Sequence, residues 1–193
     1  MQPDKLNIFD LDGTLIKVNS FREIGKLLII TLARKRQIAS LLSLICWYLI
    51  RKAGLIEHLK FKQQVVDIFE QELPEETKQN IVQSVFMSNI NRTVLELMNI
   101  ADNCVISTTS PFAFVSRMPL KKDAVVISSL DHNDTFPDPS NFGPGKVRNL
   151  KFYFSGKNIR VLNFYTDSAD DQELANFSDN VFMVKDSSLI KVK

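Results

Sequence analysis

The stretch Leu6-Asn7-Ile8-Phe9-Asp10-Leu11-Asp12-Gly13-Thr14-Leu15 constrains this chain more than any other. An apolar run ends in two acids one residue apart, then Gly-Thr. A short apolar run bounded by turn formers reads as a buried strand. Strand side chains alternate faces, but the chain turns where a strand ends, so Asp10 and Asp12 can both reach one polar pocket. Gly13 gives that turn a backbone freedom other residues lack. Open α/β sheets place ligands at the carboxyl ends of their strands. Two carboxylates held together repel, so the pair calls for a cation or a shared proton.

The pattern after Thr14 is helical. Ser20 and Glu23 have capping-box spacing, which predicts a helix from Phe21 to about Arg34. A second helix is predicted over Ile38 to Lys52, with Gly54 as its stop signal. A third covers about Glu57 to Gln71. Pro74 suits the first turn of a fourth, and Asn91 is placed to cap a fifth from Arg92 to Ala101. Buried strands follow at Asn103 to Ser107, Ala124 to Ser128, Ile159 to Phe164 and Val181 to Val184. The segment Asp131 to Gly145, rich in Asp, Asn, Pro and Gly, reads as a loop.

A crossover between parallel strands needs only a dozen or so residues. The helical block is far longer, so it reads as an insert placed directly after the acidic motif, where it covers whatever the acids do. The expected fold is α/β: a three-layer Rossmann-like core with a mostly parallel sheet and an inserted all-helical cap. The core takes residues 1–16 and 96–193, and the cap residues 17–95.

Apolar residues make up 45% of the 193, enough for such a core. The net charge of +2 is too small to argue for nucleic acid. Cys46 and Cys104 sit inside apolar runs and read as reduced core residues, with neither metal spacing nor a disulfide framework. Met1-Gln2-Pro3-Asp4-Lys5 leads into the first strand without a leader, so the cytoplasm is the expected compartment.

Three later stretches complete a site. Cys104-Val105-Ile106-Ser107-Thr108-Thr109-Ser110-Pro111 is a strand ending in hydroxyls, which with free backbone N–H groups suit an anion. Gly143-Pro144-Gly145-Lys146 brings a lysine to the opening of a helix. Phe164-Tyr165-Thr166-Asp167-Ser168-Ala169-Asp170-Asp171 is a buried strand ending again in acids. Parallel strands bring such ends together.

In these residues the sequence resembles the haloacid dehalogenase (HAD) superfamily of phosphohydrolases, from Leu6 to Val184. The resemblance implies that Asp10 is the nucleophile and Asp12 the general acid/base. It matches Thr108 to the hydroxyl of the second motif, with Ser107 as the alternative, because Thr108-Thr109-Ser110-Pro111 follows the family pattern. Lys146 matches the third motif. Asp167 and Asp171 match the paired acids of the fourth, Asp170 competing for the second place. The helical insert resembles the cap of the phosphoserine phosphatase-like branch. Thr166 stands where the family has Gly. Asn19 stands where phosphoserine phosphatases carry an acid, which speaks against L-phosphoserine.

The chemistry implied is Mg²⁺-dependent hydrolysis of a phosphomonoester through an aspartyl-phosphate. Asp10, Asp12 (through its carbonyl), Asp167 and Asp171 form the metal set. Lys146, Thr108, Thr109 and Gly13 face the phosphoryl group, and Asp10, Asp12, Thr108 and Lys146 carry catalysis. The other readings are a phosphotransferase or mutase, and a silent phospho-ligand-binding or interaction protein.

The first two cap helices are more apolar than a small lid needs. Arg34-Lys35-Arg36 lies between Leu27–Ala33 and Ile38–Ile50. Neither run reaches the roughly 18 to 20 residues that span a bilayer. One reading packs this hairpin on the core or on another subunit. The other lays it on the inner face of an anionic membrane, where it would present a lipid or other apolar phosphate to the site. The oligomeric state stays open.

Overall fold

The computed structural model describes residues 3–131 and 136–193. Residues 132–135 of the expected loop lie outside these. The chain opens with β1 (Asp4–Phe9), followed by α1 (Ser20–Arg34), α2 (Ile38–Lys52), α3 (His58–Glu72), α4 (Glu75–Asn89) and α5 (Arg92–Ile100). Then come β2 (Cys104–Pro111), α6 (Phe112–Val115), β3 (Val125–Ser129), α7 (Pro144–Tyr153), β4 (Ile159–Thr166), α8 (Gln172–Phe177), β5 (Ser178–Lys185) and β6 (Ser188–Lys191).

The strands form one sheet in the order β3-β2-β1-β4-β5-β6, parallel except for β6, which pairs antiparallel with β5. The order reverses direction between β1 and β4, so a crevice opens beyond the carboxyl ends of those two strands. Both faces are covered, which is why the central strands read as unbroken apolar runs. Leu6, Ile8, Val105, Val161 and Phe164 pack on one face with Leu150 of α7 and Leu174 of α8. Phe9, Ile106 and Tyr165 pack on the other with α5, α6 and the helical block. Val161 and Phe164 share a face, although three apart, because the β1–β4 register slips between Leu6 and Asn7. The architecture is the expected three-layer α/β arrangement, Rossmann-like with a mostly parallel sheet.

The two connectors of the helical block run side by side. Ile16 bridges Ile90, Lys17 N donates to Asn89 O (2.8 Å), and Asn91 N donates to Leu15 O (2.9 Å). α5 follows these connectors and buries Val94 and Met98 in the core. Within the block, α1 turns Ile24, Leu28 and Leu32 inward at helical spacing, each fully buried. Such burial contributes roughly 1.5–3 kcal/mol per side chain relative to exposure.

Three local expectations change. Asn19, not Ser20, caps α1, accepting from Arg22 N at 2.9 Å. That shift starts the helix at Ser20 and turns the Ser20 hydroxyl inward. Cys104 is buried, but Cys46 is exposed, because α2 is apolar on every side and only Leu44 of it is buried. The hairpin of β5 and β6 was not expected, since β6 is short and mostly exposed. Among the described residues no helix is long and apolar enough to cross a membrane.

Candidate active site

The acids converge at the crevice between β1 and β4. Asp10 N donates to Tyr165 O (2.9 Å), which continues the strand pairing one step past β1 and fixes where the Asp10 side chain leaves the backbone. The chain then turns back on itself, with Ile16 N bonding Leu11 O at 2.9 Å. Gly13 sits in this turn at φ +75° with the Asp167 carboxyl against its Cα, in space that a Cβ would occupy. Glycine is therefore required twice, for its conformation and for the close approach. Thr14 Oγ1 donates to Asp167 Oδ1 at 3.4 Å, a long contact.

Lys146 enters on the first turn of α7. Gly143 (φ +50°) and Pro144 set the start of that helix. The lysine is almost fully buried, with Nζ 2.8 Å from Asp10 Oδ1 and 2.8 Å from Asp171 Oδ1. Thr166 Oγ1 donates to Asp171 Oδ2 at 2.8 Å. Of the two competing acids, Asp171 is the buried one, and Asp170 is exposed at the cavity edge. Burial pushes Asp10 up to about 7; Lys146 opposes the shift, and the charges of Asp171 and Asp12 add to it. Burial alone would lower Lys146, but Asp10 and Asp171 outweigh it and hold the amine above its ordinary value.

Asp12 is held separately. Its Oδ1 accepts from Ser20 N (2.9 Å) and its Oδ2 from Ser110 Oγ (2.9 Å). Ser20 Oγ lies 2.5 Å from Ser110 Oγ, so when Asp12 is ionised the protons run from Ser20 to Ser110 to the carboxylate. Burial raises the Asp12 carboxyl, and these hydrogen bonds only partly offset it. Burial also raises Asp167.

Of the hydroxyls at the end of β2, Thr109 lines the cavity in front of the acids. Thr108 is buried just behind it, its Oγ1 accepting from Ser110 N at 3.1 Å. Ser107 is buried and 3.4 Å from Asn141 Nδ2. That cavity, about 430 Å³, is also lined by Asp10, Asp12, Gly13, Lys146, Asp167 and Asp171. A second chamber of about 800 Å³ adjoins it inside the helical block, sharing Asp12, Asn19, Arg22 and Thr109. Phe21, Leu28, Leu44, Tyr48, Phe61 and Val65 contribute to its largely apolar wall.

Sequence reasoning leaves several contributors unplaced; it allows Lys60, Lys62, Arg22 and His58 each to face the pocket. Lys62, which an amphipathic helix would normally turn to solvent, is buried with Nζ donating to Thr109 O at 2.7 Å. Burial pulls its amine down to about 8 against the pull of Asp12. Lys60 is exposed. Ser20 reads as a cap and Ser110 as one of the hydroxyls ending β2; their contact with Asp12 is what the sequence does not show. Asn141 is fully buried at φ +47° and donates to Thr108 O and Ile127 O, both 2.9 Å. Asn149 of α7 donates to Asn141 Oδ1 at 3.0 Å. This amide pair ties the approach to Lys146 onto the ends of β2 and β3. Its sole signal is two asparagines near a loop.

Among the described residues no three acid, histidine or cysteine side chains converge into a ready-made metal cage. The donors present are nonetheless hard oxygens, and at Asp10 burial outweighs the Lys146 charge and holds the carboxyl up at about 7. Mg²⁺ suits such a place, because one or two carboxylates together with water and substrate phosphate are enough to hold it.

No family model and no curated protein matches the sequence. Among solved structures, a protein of unknown function from Bordetella pertussis Tohama I aligns with a TM-score of 0.62 at 16% identity, covering 93% of this chain and 89% of that one. A HAD family hydrolase from Salmonella enterica subsp. enterica serovar Typhi aligns with a TM-score of 0.51 at 12% identity, covering 91% of this chain and 60% of that one. The likeness at these identities is one of fold: this chain has the fold of a HAD family hydrolase.

Proposed function

We propose that the chain is a Mg²⁺-dependent phosphohydrolase that cleaves a phosphomonoester with an apolar leaving group through an aspartyl-phosphate. The observation that carries this reading is the buried Asp10–Lys146–Asp171 array, open to a cavity with Asp12 held beside it. Asp10 would attack phosphorus as the bond to the leaving oxygen breaks. Asp12, set by Ser20 and Ser110, would protonate that oxygen and then take a proton from the water that hydrolyses the acyl phosphate. Lys146 would offset phosphoryl charge, with Thr108 and Thr109 at the end of β2 beside it.

This division of labour needs Asp10 ionised and Asp12 protonated, yet burial raises both. A cation held by Asp10, Asp167 and the Asp12 carbonyl, with Asp171 in support, would lower Asp10 selectively. Mg²⁺ bound there supplies Lewis-acid charge to the phosphoryl oxygens. The helical block would then be a cap, and its apolar chamber would hold the leaving group. Lys62 and Arg51 in that chamber's wall add an anion-attracting field, while burial pulls the His58 imidazole down to about 4 and leaves it neutral near pH 7.

The test is Mg²⁺-dependent hydrolysis of p-nitrophenyl phosphate. Asp10→Asn is expected to abolish turnover. Near-parent turnover by that variant, with deamidation excluded by mass spectrometry, would overturn the assignment.

A further inference from the structure

The phosphatase reading leaves the outer face of α1 and α2 unused. Ile38, Leu42, Ile45 and Leu49 are each 44–56% exposed and spaced four, three and four residues apart, so they form one stripe along α2. Ile29 and Ile30 of α1 are also exposed, at 44% each. Within the hairpin's own sequence the charge beside this stripe has a single sign, although Glu72 of α3 reaches the Gln37 cap of α2 at 2.9 Å. Between Glu23 and Glu57 there is no acid, while Lys26, Arg34, Lys35, Arg36, Arg51 and Lys52 are basic. Basic residues therefore outnumber acids at both ends of α2: Arg34, Lys35 and Arg36 against Glu72 at its start, Arg51 and Lys52 at its close.

We infer that the α1–α2 hairpin is an interfacial docking face for an anionic lipid bilayer. An apolar stripe with basic residues at both ends matches acyl chains bordered by anionic headgroups. A second copy of this chain fits worse. Whether two α2 helices paired parallel or antiparallel, basic ends would meet basic ends. At 15 residues α2 is about 22 Å long, short of the roughly 30 Å hydrocarbon core, so it would lie along the surface.

The chamber gives this face a consequence. Ile29, Ile45 and Tyr48 are exposed on the hairpin and also line the chamber that leads to Asp12. The chamber thus opens onto the docking face. In that part the inference rests on the phosphatase reading and names its substrate class: a phosphomonoester amphiphile drawn from the bilayer.

The experiment is co-sedimentation of the full chain with phosphatidylcholine vesicles, with and without a minority of phosphatidylglycerol, at low and high salt. Binding is expected for the anionic vesicles at low salt. It should weaken about a hundredfold in Arg34→Ser/Lys35→Ser/Arg36→Ser and at least about tenfold in Leu42→Ser/Leu49→Ser. Circular dichroism checks that both variants fold. Light scattering reports self-association. Absence of binding to anionic vesicles at low salt would overturn the inference. So would binding that survives both sets of substitutions, or a stable dimer that Leu42→Ser/Leu49→Ser dissolves. Vesicle binding needs no turnover, and p-nitrophenyl phosphate needs no vesicle, so the two readings fail separately.

Discussion

Lys146 Nζ bridges Asp10 and Asp171 at 2.8 Å each, and all three side chains are buried. One cation between two carboxylates leaves a net negative site. It also ties α7 to the ends of β1 and β4, so charge balance and the position of Asp10 depend on the same atom. Lys146→Met keeps most of the side-chain bulk and removes the charge, which sets two buried acids against each other. Unfolding in urea near neutral pH should show a loss of about 3–5 kcal/mol, the range for breaking a buried pair from one side. Phosphate release should fall by roughly 10²–10³ in kcat. Lys146→Met/Asp171→Asn should regain stability but not turnover. Recovery of both would mean that the lysine only holds the fold.

Ser110 is the link between Asp12 and Ser20. Ser110→Ala removes the donor to Asp12 Oδ2 and leaves Ser20 N on Oδ1, so the carboxyl keeps its place but not its orientation. Partners of this kind typically cost 10–100-fold when lost. The fall is expected in kcat, with KM little changed, because in the proposed mechanism Asp12 acts on the leaving oxygen and not on substrate affinity. A change confined to KM would place Ser110 in binding instead.

Much of this fold was legible because its signals are local. An unbroken apolar run ending in Asp10-Leu11-Asp12-Gly13 states both the strand and the turn after it. The same logic found β2, β3, β4 and β5, and α2 to the residue. The strand ends bring Asp10, Asp12, Asp167 and Asp171 to one crevice, because parallel strands share a direction. What escaped depends on contacts between distant residues. Ser20 caps nothing, since Asn19 sits one position earlier and already has the cap geometry. Thr166 supplies a hydroxyl to Asp171, a contact five residues along the chain that no motif announces. Lys62 is buried because α3 faces the end of β2, which no periodicity within α3 reveals.

Arg117, just after α6, ties the helical block to the sheet side. Its guanidinium bonds both oxygens of Glu70 on α3 and both of Glu75 on α4, and Lys78 joins the same two acids. Hydrogen bonds from Arg117 and then Lys78 hold the Glu75 carboxyl down at about 2, against an ordinary 4.5. A carboxyl depressed on folding adds stability above its unfolded value and loses it as pH falls through its folded value. The Glu75 contribution should therefore be whole above 4.5 and vanish on acidification towards 2. Thermal midpoints measured across that interval should fall more steeply for the parent than for Glu75→Gln. The two curves should meet at the acid end. Glu75 is largely exposed, so salt should shrink the difference between them. Parallel curves would show that the latch rests on Glu70 alone, since Glu70 keeps its two-pronged contact with Arg117 in the variant.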